Sequence, residues 1–338
     1  MGGTQSYHQL KSPKKQNRIS RSLFNNSENK ISSIGTDNKN INDYYYKSIN
    51  NISTTNILDL NLKIINGRTF LFNDDYFFPV DYEEADRLQL QHYMYIQIWE
   101  SYFSSPIKTL LNLGGMNVLD VGCGPALWLM EMATFFPLSN FTGVDIVQLY
   151  PSDCMPNNLN FIQANILDGI PFENETFDFI HVKDCLPYFP GKFSKEQIFS
   201  ELVRLLKPGG WLEIIELEGK MYDAGPNSDF LYDKLIAVYR NRGINYVLES
   251  VPQLFEENNL VEFRREDKII KYCEFDFALQ VFLDTFKTMK KTILEFTSID
   301  PEKYEEMLVN SCQELVKYQT SFRNTRFYGQ KPLKFETI

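Results

Sequence analysis

The segment VLDVGCGPA, residues 118–126, is an apolar run that carries Asp120, turns at Gly122 and Gly124, and passes at once into LWLMEMATFF. Glycine lets the backbone reverse sharply and approach a ligand closely, and the helix predicted after Pro125 offers free N–H groups at its start. A strand, a glycine turn and a helix in direct succession predict a parallel sheet covered by helices, with a nucleoside-type ligand at the turn. A second apolar run, FTGVDIV, places Asp145 21 residues after Gly124, where a carboxylate can accept from both ribose hydroxyls. A dinucleotide turn needs a third glycine at its sixth position, which here is Leu127. Tyr188 and Lys192 are spaced like a dehydrogenase dyad, but Pro190 and Gly191 between them preclude the helix such a dyad requires.

The alternation continues along the chain. Strands are predicted at 116–121, 141–147, 159–164, 177–182 and 211–218. A helix is predicted from Asp81 to Phe103, with Glu83 and Glu84 in its first turn, and a short one from Ser105 and Pro106 to Gly114. A helix over 194–206 is stopped by Lys207, Pro208, Gly209 and Gly210. The last third predicts helices near 228–242, 250–258, 275–296 and 301–318, a strand in LVEFRRED and a closing strand in FRNTRFYG.

Before this lies a segment of different character. Residues 1–65 are rich in Asn and Ser and predict a disordered basic arm, while 66–338 predict one folded domain. Residues 1–66 hold nine Lys or Arg against four Asp or Glu, net +5; the whole chain is −10, which leaves −15 for the remainder. An acidic body argues against nucleic acid as a partner. Five cysteines without paired spacing predict neither a disulfide framework nor a metal site, and fit a cytoplasmic protein with the nucleus also open. The opening MGGTQS matches an acylation pattern at Gly2, and Lys11, Lys14, Lys15, Arg18 and Arg21 follow it. One acyl chain with a basic patch would allow peripheral membrane association through the arm.

These segments resemble the class I S-adenosylmethionine-dependent methyltransferases: VLDVGCGPA their first motif, GVDI the ribose motif, QANI the adenine motif, FDFIHVKD the fourth strand and LLKPGGWLEI the approach to the fifth. PVDYEEADRLQLQH and FYGQKP are further similar to the fungal LaeA-like group. The resemblance implies a Rossmann-like seven-stranded α/β sheet with helices on both faces, N-terminal lid helices and S-adenosylmethionine as cofactor. It implies that Asp120, Gly122, Cys123 and Gly124 surround the methionine part, Asp145 the ribose, Ile146 and Ile166 the adenine faces, Asn165 the adenine amino edge and Lys183 the mouth. Ala126 stands where the family has a third glycine, and Asn165 where it has aspartate.

Methyl transfer from a sulfonium needs mainly alignment and exclusion of water, so a dedicated catalytic residue is not required. His181 and Tyr188 are the candidates if a base is needed, although His181 inside a strand run also reads as a packed histidine. Arg87, Gln91 and His92 on the early helix fit a lid, or else a surface Glu84–Arg87 pair on a packed helix. The methyl acceptor is expected to be a small molecule or lipid. The alternatives are a regulatory cofactor-binding protein with little turnover and a protein methyltransferase.

Overall fold

The computed structural model describes residues 62–65, 67–72, 76, 78–151, 155–186, 195–243 and 248–334. Gly2, the basic arm to residue 61, and Tyr188 lie outside these. The first elements are strands β1 (Leu62–Ile65) and β2 (Arg68–Leu71), an antiparallel hairpin turning at Gly67, whose φ of +80° suits glycine. Strand β1 thus falls in the last four residues that the composition assigns to the arm. LKII is too short an apolar run to stand out in an Asn-rich stretch, and its register comes from β2.

Asp81 joins this hairpin to helix α1 (Tyr82–Trp99). One carboxylate caps the helix by accepting from Glu84 N at 3.2 Å, takes Arg68 through two bonds of 2.7 and 2.8 Å, and accepts from Thr69 N at 3.1 Å. Helix α2 (Lys108–Leu113) starts three residues after the expected Ser105 cap, with Ile107 at its N-cap. The backbone N–H and hydroxyl of Ser105 are instead both given to Glu213.

Seven strands make the main sheet: β3 (Asn117–Val121), β4 (Asn140–Asp145), β5 (Leu159–Gln163), β6 (Phe177–Lys183), β7 (Leu206–Tyr222), β8 (Val261–Lys271) and β9 (Ser321–Gln330). Their order is β5-β4-β3-β6-β7-β9-β8, with every neighbour pair parallel except the two made by β9. The central strands are apolar on both faces: Val118, Leu119, Phe179, Ile180, Leu212 and Ile214 are each fully buried. Helix α3 (Leu127–Phe135) packs with α2 on one face. Helices α4 (Lys195–Leu205) and α6 (Val251–Glu257) pack on the other. Helices α5 (Pro226–Asn241), α7 (Asp276–Thr297) and α8 (Pro301–Lys317) join α1 in a further apolar cluster beyond the strand ends. This is the Rossmann-like sheet with helices on both faces that the motifs predict.

Lys207 to Gly210, expected as a helix stop, is absorbed into β7. Leu206 pairs with Phe177 and Trp211 with Phe179, so the extra residues form a bulge, and Gly209 takes φ +80°. Gly210 O and Gly209 N bond to Lys331 across the edge, which keeps the segment in the sheet.

A polar knot ties the end of α1 to the sheet. Glu213, fully buried, accepts from Ser104 N, Ser105 N and Ser105 Oγ, and Arg326 lies beside it with Nε at 3.8 Å. Arg326 stacks over Trp99 at 4.4 Å and donates to Ser101 O at 2.8 Å. Removing one partner of a buried pair leaves the other charge uncompensated. Glu213→Ala is therefore expected to cost about 3–5 kcal/mol in urea unfolding; a loss under about 1 kcal/mol would show that the knot carries no stability.

Candidate functional site

The turn after β3 is built by positive backbone angles. Gly122, Gly124 and Ala126 have φ of 70°, 52° and 62°. A Cβ on Gly122 would lie 2.1 Å from Cys185 Sγ, so no side chain fits there. Ala126 bears the strain that a third glycine would avoid, as the N-cap of α3 with no side-chain bond to the helix. The N–H groups of the turn are already bonded, Gly122 and Cys123 to Val144 O, Gly124 to Asp145 and Ala126 to Cys123 O, so the turn offers a ligand its bare backbone, and free donors begin with the first turn of α3.

Asp145 closes the cradle from the end of β4. Its Oδ2 accepts from Gly124 N at 2.8 Å and its Oδ1 from Val147 N at 3.0 Å. Burial pushes this carboxyl up to about 6, against the pull of those backbone donors. Each oxygen keeps lone-pair capacity for a further donor. Asn165 differs from expectation in one respect. Its side-chain oxygen already accepts from Leu167 N at 3.0 Å, capping the short 3-10 turn 166–168, so one lone pair is left for a ligand.

All nine residues expected around a cofactor (Asp120, Gly122, Cys123, Gly124, Asp145, Ile146, Asn165, Ile166 and Lys183) line one cavity of about 270 Å³. They come from the ends of β3, β4, β5 and β6, so the sheet order alone brings them together. Cys123 and Cys185 are free thiols, and burial raises both, which suits small packed side chains rather than nucleophiles.

His181 is corrected by its surroundings. Its ring is fully buried, gives Nδ1 to Asp120 Oδ1 at 2.7 Å and stacks on Trp128 at 4.0 Å, and it does not line the cavity. It braces Asp120 from behind the cavity wall. Tyr188 lies outside the described residues.

Helix α1 brings Arg87, Leu88, Gln91 and His92 to the cavity, where the lid reading puts it. The Glu84–Arg87 pair is buried, not on the surface: Arg87 Nε donates to Glu84 at 2.9 Å and Nη1 to Gln91 Oε1 at 2.7 Å. Gln91 then donates to Asp184 Oδ2 at 2.5 Å, and the Tyr95 hydroxyl to Asp184 Oδ1 at 2.7 Å. Asp184 holds φ +51° just past β6. This chain of bonds seats α1 over the strand ends, with Leu88, Gln91 and His92 facing the cavity. The polar residues every three or four positions were the available signal.

Beyond the turn the cavity continues into an aromatic chamber. Its walls are Tyr232 and Tyr239 of α5, Val281, Phe282 and Phe286 of α7, and Phe322 of β9. Glu218 and Thr285 are polar members of that wall.

Residues 118–210 match the family model of a methyltransferase domain. The chain is 27% identical over 266 residues to N-methyltransferase verN of Clonostachys rogersoniana, covering 74% of this chain and 90% of that protein. It is 29% identical over 160 residues to protein-methionine methyltransferase laeA of Emericella nidulans, 45% of this chain and 40% of that one. The match to methyltransferase str3 of Strobilurus tenacellus, at 30% identity, spans 30% of this chain and about a third (35%) of that protein. Among solved structures, Haemonchus contortus phosphoethanolamine N-methyltransferase 2 in complex with S-adenosyl-L-methionine has a TM-score of 0.43 at 17% identity, over 73% of this chain and 57% of that one.

Residues 118–210 thus carry a methyltransferase domain, set in a seven-stranded sheet with a glycine turn after β3, and the chain resembles the class I S-adenosylmethionine-dependent methyltransferases. LaeA-like proteins are among the relatives it resembles.

Binding through Asp145 needs its ionised form, since a protonated carboxyl loses acceptor capacity. Cofactor affinity is therefore expected to be full above about pH 6 and to fall up to about tenfold per unit below it. In Asp145→Asn that pH step should vanish, with affinity at pH 7 lowered about 10- to 100-fold, as for loss of a charge-assisted bond. Titration calorimetry reads both, and an unchanged pH step in the variant would remove Asp145 from the site.

Proposed function

We propose that this protein moves the methyl group of S-adenosylmethionine to a small, largely apolar molecule held in the aromatic chamber. The observation that carries the reading is continuity: one cavity runs from the glycine turn and Asp145 to the rings of α5 and α7. The chemistry of the lining fits the cofactor. Asp145 supplies acceptors for two ribose hydroxyls, Ile146 and Ile166 supply flat apolar contacts for adenine, and Gly122 leaves the backbone bare for the methionine part. When bound, the cofactor supplies a methyl carbon already activated by a positive sulfur.

The chain's own residues then align and exclude water. Helix α1 covers the turn, Leu88 lying 3.8 Å from where a Cβ on Gly124 would stand, and the aromatic walls hold the acceptor against the transferring carbon. A chamber walled by α1, α5 and α7 suits a compact molecule better than an extended peptide. Among the described residues no helix is long and apolar enough to cross a membrane. Free thiols at Cys123 and Cys185 support placement in a reducing compartment such as the cytoplasm.

Incubation with methyl-labelled S-adenosylmethionine and either the small-molecule or the protein fraction of a cell extract tests the reading. Label is expected in small molecules. Val281→Trp, which fills the chamber, is expected to cut that transfer at least about tenfold while the calorimetric affinity for the cofactor holds. Label confined to protein would favour methylation of a protein, and none in either fraction despite cofactor binding would favour a regulatory role.

A further inference from the structure

We propose that His92, oriented by Glu131, is the general base of the reaction, and that the acceptor is therefore a group that gives up a proton as it is methylated, such as a hydroxyl. The inference rests on the transferase reading above.

His92 stands on α1 and lines the cavity at the cofactor turn, together with Trp128 and Lys183. Its Nε2 lies 2.8 Å from Glu131 Oε2, and both side chains are buried. Glu131 comes from α3, the helix that begins at the glycine turn, so one element shapes the cofactor cradle and fixes the base. Burial raises the Tyr102 phenol, and the nearby Glu131 carboxylate raises it further. An ionised carboxylate can only accept, which puts the imidazole proton on Nε2 and leaves Nδ1 as a lone pair. Glu131 does not line the cavity, so the ring edge that meets the cavity carries Nδ1, which has no hydrogen-bond partner among the described residues.

The charge state suits the task. Burial lowers His92 from its ordinary value, Lys183 and His181 lower it further, and Glu131 pulls the other way. The net direction is down, so the ring is neutral at pH 7 and ready to take a proton. The other titratable groups at this end of the cavity fit less well. Asp184 is bound by Gln91 and Tyr95, and Lys183 lies over the Tyr95 ring and makes no ion pair among the described residues.

The step balances without a further reagent. For a hydroxyl, the acceptor O–H bond breaks and its proton goes to Nδ1. The electron pair left on oxygen forms the new bond to carbon as the carbon–sulfur pair withdraws onto sulfur, cancelling its charge. The imidazolium, steadied by Glu131, then releases its proton to solvent. An acceptor with no proton to lose, such as a tertiary amine or thioether, would make no use of this arrangement.

The chain has three histidines, His8, His92 and His181, so labelling with 15N-histidine gives a spectrum with few signals, and His92→Asn identifies the one of interest. In the full-length protein we expect that ring to be neutral at pH 7 with the proton on Nε2, and to titrate below the ordinary histidine value. Proton on Nδ1, or an imidazolium at pH 7, would overturn the proposal. With methyl-labelled cofactor and the small-molecule extract, His92→Asn should lose at least about 100-fold in transfer while cofactor affinity by calorimetry is retained. As a positioning residue, Glu131→Gln should lower both kcat and the His92 titration while KM holds, and Glu131→Asp should restore part of each. Undiminished transfer by His92→Asn would sink the base and leave the transferase standing. Absence of any product from the wild-type protein would instead sink the transferase reading on which the base depends.

Discussion

The buried relay from Glu84 through Arg87 and Gln91 to Asp184 is the interaction on which the site depends, because it is what holds a helix across the open end of the sheet. A guanidinium between two carboxylates in a region closed to water is costly to desolvate and is held only when its donors are matched. Here Arg87 forks onto Glu84 and reaches Asp184 through the amide of Gln91, while the Tyr95 hydroxyl takes the second Asp184 oxygen. Burial raises both Glu84 and Asp184 above the ordinary carboxylate value, against the pull of Arg87 on each. The helix that the relay holds carries Leu88, His92 and Met94 into the cavity lining.

The sheet decides where that closure falls. Strand β3 lies between β4 and β6, and the chain runs outward from it in opposite directions, so the loops after these strands diverge and leave a crevice at their C-terminal ends. The turn at Gly122 follows β3, Asp145 ends β4, and Lys183 with Asp184 ends β6. Residues up to 63 positions apart are thereby gathered by topology rather than by local sequence. Strand β9 has a different part: it is reversed between β7 and β8, and its Arg326 and Asn324 reach back to Ser101 and Trp99 at the end of α1. The closing strand of the chain thus anchors the covering helix of its beginning.

Much of this was legible in the sequence, for physical reasons that also mark its limits. The strand cores announce themselves because both faces are apolar, and the glycine turn because few other residues tolerate its backbone angles. The nine expected cofactor residues converge because each sits at or just past the end of a strand, a position that spacing reveals. Contacts made at long range were not legible. Nothing near Glu131 in sequence indicates His92, 39 residues away, nor does Ser105 announce that Glu213 will take its cap from it. His181 illustrates the converse: a histidine at a strand end invites a catalytic reading, and only the stacked Trp128 and the bond to Asp120 identify it as a brace. The bulge at Lys207 to Gly210 hid for a similar reason, since helix-stop chemistry and sheet-edge pairing to Lys331 use the same residues.

A crystal structure with S-adenosylhomocysteine bound is the most direct test of the central claim. The account requires both ribose hydroxyls on Asp145, adenine between Ile146 and Ile166, and the sulfur directed toward the aromatic chamber with His92 at its near wall. A nucleoside seated elsewhere, or one whose sulfur faces away from α5 and α7, would contradict it.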